Sequence, residues 1–199
     1  MPRVFRATSF LALTLCAFAV AACGDPFTIQ APFTAVTDSF AIRTLTRTPP
    51  SARSLWRIGS FNRYRLDSIG LQFDLGFDFD DAGRIMVYPA RTIITPPPPG
   101  SSAAPPSVGL LAGSASYASV DRAPETGYRA DTALAITKGQ VVFVRSTSDV
   151  CANQRTGGTL LYAKFVVDSV NPVTRELLVR TTIQQSCNFR SFAPGIPTF

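Results

Sequence analysis

The sequence predicts a mostly β fold, an antiparallel sandwich or partly closed barrel with little helix outside the N-terminal leader. Three observations carry this. Residues 71–79 alternate strictly, with Phe73, Leu75, Phe77 and Phe79 on one face and Asp74, Gly76 and Asp78 on the other, the period of a strand with one dry side. The stretches 140–145, 160–170 and 176–184 are rich in Val, Leu, Phe and Thr, and Asn171-Pro172-Val173-Thr174 breaks the last two apart, the pattern of a hairpin. No long segment of the body carries a 3.6-residue apolar period; residues 108–120 come nearest, and their Gly and Ser content weakens them as helix.

Taken in order, a first strand is expected at Phe40–Leu45, ended by Thr48-Pro49-Pro50-Ser51. Residues 64–69 alternate loosely. The strand 71–79 then turns at Asp80-Asp81-Ala82-Gly83 and returns through Arg84–Tyr88. Residues 96–107, dense in Pro, Gly and Ser, cannot join a sheet interior. They are expected to form a surface loop of a single domain, 36–199, with a linker between two small domains as the alternative. In the C-terminal hairpin, Leu161, Ala163, Phe165 and Val167 share one face, and Tyr162, Lys164, Val166 and Asp168 the other.

The N-terminus has its own pattern. Arg3 and Arg6 precede an apolar run at 10–20, shorter than a membrane-spanning helix needs. Val20-Ala21-Ala22-Cys23 follows and resembles the lipobox of bacterial lipoproteins. That resemblance implies cleavage of residues 1–22, a diacylglycerol on the Cys23 thiol and acylation, such as palmitate, of its amine, with 23–35 as lipidated terminus and tether. An ordinary signal peptide cut after Ala19-Val20-Ala21 is the alternative. Two or three acyl chains anchor stably where one does not. Gly24 in place of Asp points, by resemblance to enterobacterial sorting, to the outer rather than the inner membrane.

Composition narrows the function. The chain has 199 residues, 46% hydrophobic and 16% charged, which is globular. Arg3 and Arg6 leave with the leader, so 17 of 19 basic residues remain against 13 acids, a formal +4. The arginines read as scattered along the chain, without the dense run of a nucleic-acid surface, and no nucleic-acid partner is expected. There is no His, so no Ser-His-Asp or Cys-His nucleophile and no His-held zinc or haem can be built from this chain alone. Cys16 lies in the leader; Cys151 and Cys187 remain, an even pair expected to form a structural disulfide worth on the order of 3–4 kcal/mol.

Candidate sites are few. Asp78, Asp80 and Asp81 superficially match a calcium loop, but Ala82 and Pro89 occupy its fifth and twelfth positions. They are weak metal candidates beside the reading of a solvated strand end. Nucleophile motifs of the G-x-S-x-G and S-x-x-K kinds are missing. Trp56, Phe61 and Tyr64 lie among arginines, Arg57 foremost, a mixture suited to stacking on sugars or meeting anionic groups if exposed, with core aromatics on strands flanked by solvated arginines as the commoner alternative. Finally, residues 141–145, 162–165 and 176–184 are similar to the closing strands of HmuY-like lipoproteins, β-rich haem-capturing proteins. The likeness spans about a quarter of the chain, and that family's ligation of haem by a histidine pair cannot carry over to a chain without His.

The expectation is a non-enzymatic, lipid-anchored β domain that binds an envelope ligand or protein partner, with no cofactor. The alternatives are a carboxylate- or metal-dependent envelope hydrolase and an assembly component of an outer-membrane complex.

Overall fold

The computed structural model describes residues 31–68, 73–94, 105–148, 150–151 and 158–195. Residues 1–30 with Cys23 among them, Leu71, Gln72 and residues 96–104 of the Pro-rich segment lie outside them. Among the described residues there are eleven strands: β1 (Ala35–Arg43), β2 (Arg53–Arg57), β3 (Asn62–Arg65), β4 (Leu75–Phe79), β5 (Ile85–Pro89), β6 (Val108–Ala112), β7 (Arg129–Ala130), β8 (Leu134–Ile136), β9 (Val142–Thr147), β10 (Leu160–Asn171) and β11 (Glu176–Gln184).

All pairings are antiparallel, in two sheets. One is ordered β1-β11-β10-β9-β6-β7 and the other β3-β2-β4-β5-β8, and neither closes into a barrel. The fold is a β-sandwich. Strands from before and after the Pro-rich segment occur in both sheets: β1 joins the first and β8 the second. Between the sheets, Phe40 and Ile42 of β1, Trp56 of β2, Leu75 and Phe77 of β4, and Leu161, Phe165 and Val167 of β10 make one continuous core. Trp56, Phe77 and Phe165 meet edge-on across it, at 5.9 Å and 5.7 Å between centroids.

The expected faces need two corrections. The Asp74/Gly76/Asp78 face of β4 is not wet: Asp74 and Asp78 are only 4% and 5% exposed. Leu45 and Ile93 cover Gly76 so closely that a Cβ there would sit 2.8 Å from Ile93 Cδ1. Phe73 precedes the strand and packs outward with Leu55 and Ala90, so the alternation begins only at Leu75. Residues 108–120 are not helix. They are strand β6 and a 3₁₀ turn at Tyr117–Ser119, and Gly109 is where Tyr128 crosses the strand, its Cβ 2.9 Å from where a Gly109 Cβ would be.

The outer face of the six-stranded sheet is covered too. Val120, Ala123 and Phe192 pack on Phe143 and Tyr162. Cys151 and Cys187 are bonded, Cα atoms 5.6 Å apart, tying the turn after β9 to the end of β11.

Candidate anion-binding side

β1 packs against β2 and β4, so the edge strand of the first sheet and the β2–β3 edge of the second lie on one side of the sandwich. The β2–β3 register is Arg53↔Arg65, Leu55↔Tyr64, Trp56↔Arg63 and Arg57↔Asn62, with an irregularity at Ser54. Paired residues share a face. Trp56 and Arg63 therefore look toward β1, whereas Leu55 and Tyr64 look away from it.

This register sorts the four residues singled out above. Trp56 is 0% exposed, its ring 5.2 Å from that of Phe40, and a ligand could reach it only by opening the core. Phe61, half-buried against that core, ends the 3₁₀ turn Ile58–Ser60 with φ 56°. Tyr64 is half-buried beside Leu55 and Phe73. Burial raises its phenol, but hydrogen bonding from Asn62 and Arg57, with the Arg57 charge, outweighs this and holds the group below the ordinary tyrosine value. Arg57 and Tyr64 thus meet, while Trp56 and Phe61 serve the core; the aromatic half of the expected stacking site is turned inward.

The basic half remains at the surface. Between Arg43 and Arg65 the chain carries Arg43, Arg47, Arg53, Arg57, Arg63 and Arg65, with no Asp, Glu or Lys. β2 and β3 bring this stretch to the β1 edge of the sandwich, with Arg63 on the face turned toward β1 and Arg57 beside Tyr64 on the other. An open groove of about 380 Å³ runs there between Ala41, Ile42 and Arg43 of β1 and Pro49, Ser51, Ala52 and Arg53, with Glu176 at its end.

Arg43 is neutralised by Glu176 at 2.9 Å and donates to the Thr174 carbonyl. Arg65 pairs with Asp67 at 2.6 Å. Among the described residues, Arg47 and Arg53 are exposed and meet no anion, and Arg63 rests only on the Phe40 ring, 5.3 Å from its centroid. Guanidinium groups without an anion beside a groove suit phosphate or carboxylate, which they grip through two parallel N–H donors. The signal in the sequence was the absence of acids across this window, which whole-chain charge conceals.

The acidic candidates are engaged elsewhere. Asp78 accepts from Arg175 Nη2 at 2.6 Å and from the Thr46 N–H and hydroxyl at 3.1 Å each. Asp80 accepts from the Arg84 backbone N–H and guanidinium, which hold its carboxyl below the usual range. Asp81 is exposed. The structure does not bring the three together, and among the described residues no three Asp, Glu or Cys side chains are placed to hold one ion. Asp74, facing the opposite sheet, is bonded by Ser146 Oγ and by the Ile58 N–H.

No protein-family model, curated protein or solved structure matches this chain. What the arrangement can do is therefore read from its own chemistry: an arginine-rich flank beside two sheet edges, one a nine-residue strand, able to receive an extended anionic group.

Proposed function

We propose that this chain is an exported bacterial lipoprotein, cut before Cys23 and lipid-anchored there, whose β-sandwich binds an anionic component of the cell envelope along the β1/β3 side. The observation that carries the binding half is the run of six arginines without an acid from Arg43 to Arg65, three of them meeting no anion. The lipobox at Val20–Cys23 supports the address. So does the Cys151–Cys187 bond, a crosslink of oxidising compartments. The reading is of a binder rather than a hydrolase, because the described carboxylates are dispersed, several on their own arginines: Asp78 on Arg175, Asp168 on Arg180, Asp131 on Arg91. The open edges of β1 and β3 keep a second reading in view, a protein partner that adds a strand.

Two measurements test this. A clickable fatty acid should label the wild type and not Cys23→Ser, which should leave the membrane fraction; equal labelling of both removes the anchor. The soluble form, residues 24–199, should bind phosphate- or carboxylate-bearing envelope glycans or lipids, and Arg53→Glu should weaken that binding. Indifference to every anionic component removes the binding reading.

A further inference from the structure

We infer that the anionic partner of the β1/β3 side is the headgroup surface of the bilayer that holds the anchor, so that the sandwich lies on this side against the membrane. This rests on the anchored, anion-binding reading above. The connection between anchor and domain is short. The chain is pinned at Phe33, whose N–H donates to Ser186 Oγ at 2.9 Å and whose carbonyl accepts from the same hydroxyl at 3.0 Å. Ser186 neighbours Cys187, so the disulfide braces the attachment. Ala31 is already buried, 3% exposed. Only residues 24–30 can span from Cys23 to the domain, a reach of roughly 25–30 Å at full extension.

That reach is about the length of β1 itself, nine residues or roughly 30 Å. β1 starts two residues after the pin, and its last three residues, Ala41–Arg43, form one wall of the groove that Arg53 lines opposite. The side bearing Arg53 and Arg63 is therefore continuous with the point of attachment, whereas β7 and β8 stand at the far edges of their sheets.

Charge acts over only about 8 Å in physiological salt, so these arginines are felt by the bilayer only where this side lies directly on the headgroups, a placement that the reach of residues 24–30 permits. Apolar groups suit the same contact. Phe33 at the pin and Val36 three residues on are 49% and 36% exposed, where they would enter the headgroup boundary. A soluble polyanion would account for the arginines but would leave these two without a role.

The test uses the soluble form, residues 24–199, floated with vesicles of phosphatidylcholine alone or mixed with phosphatidylglycerol. Binding is expected to the mixed vesicles only, and to fall as salt rises. Each arginine neutralised should lower the partition about fivefold, so Arg53→Glu with Arg63→Glu should lower it at least about 25-fold. Arg53→Glu alone, at an exposed position without a partner, serves as the variant least able to disturb folding. Phe33→Ser should weaken binding, and Arg129→Glu on β7 should leave it unchanged. If the mixed vesicles are not bound while a soluble acidic glycan is, through the same arginines, the bilayer inference is overturned and the anion-binding reading stands. If neither is bound, both fail. If Arg129→Glu weakens binding as much as Arg53→Glu, the docking side is wrong.

Discussion

Lys164 lies on the outer face of β10 and is 5% exposed. Its Nζ donates to the carbonyls of Tyr117 at 2.8 Å and Val120 at 2.6 Å, and sits 4.4 Å from the centroid of the Tyr117 ring. Burial lowers its pKa below the free value of 10.5, Asp121 opposes this and Arg180 adds to it. A lysine depressed in the folded state binds fewer protons there than in the unfolded chain, so stability rises as pH climbs through the window between the two values. Urea midpoints of the wild type should therefore gain on those of Lys164→Met as pH rises toward the free lysine value of 10.5; a constant difference would mean that Lys164 is as free to ionise as in the unfolded chain. Above that range the half-buried phenols of Tyr117 and Tyr128, both raised by burial, act in the opposite direction. Alternation in the sequence places Lys164 beside Tyr162 and Val166. What covers it arrives from residues 117–120 and 192, far away in the chain, and no local pattern announces such a cover. Trp56 turns inward for a related reason: the irregularity at Ser54 sets which residues of this short hairpin face the core, and sequence carries no mark of it.

The β10–β11 hairpin is the element most legible beforehand, its second strand matching residues 176–184 as read, because both strands are long, apolar in alternation and separated by an Asn-Pro turn. Asn171 Oδ1 caps that turn by accepting from the N–H groups of Val173 and Thr174, 3.1 Å each. What alternation could not show is the tip's second task. Arg175, held at φ 52°, reaches across to the other sheet, where it donates to Asp78 at 2.6 Å, Thr44 Oγ1 at 2.8 Å and the Thr46 carbonyl at 3.0 Å. The pair is nearly dry, with side chains 16% and 8% exposed. Asp78→Ala should accordingly cost about 3–5 kcal/mol, since it strands a buried guanidinium. Arg175→Gly separates strain from latch. It relieves a left-handed residue worth roughly 1 kcal/mol, yet should still be net destabilising in urea titration, and a variant as stable as the wild type would show that the hairpin needs no such clip. Added calcium should not shift the midpoint, because Asp78 is committed to Arg175. By contrast β6, β7 and β8 were not legible: they have five, two and three residues, too few for a period to show.

At the scale of the whole molecule, the sandwich has one core with no seam between its sheets. Trp56 of the five-stranded sheet packs directly on Phe40 and Phe165 of the six-stranded one, and Asp74 and Ser146 bond across the same gap. Cysteine parity in residues 24–199 made the Cys151–Cys187 link readable. Its position was not, because it depends on how β9 and β11 flank β10. The bond closes a loop with a sequence separation of 36 residues, worth about 4 kcal/mol in chain entropy. A domain of this size loses roughly 2–4 °C of Tm per kcal/mol, so reduction, or Cys151→Ala with Cys187→Ala, should lower Tm by roughly 8–16 °C. Because the sheets share their core, that melt should remain one transition. Fluorescence of the single tryptophan, which reports the junction between sheets, should fall together with far-ultraviolet circular dichroism, which reports the strands. If the tryptophan signal moves first in the reduced protein, the disulfide is what holds the sheets together, and the core alone is insufficient to make them a unit.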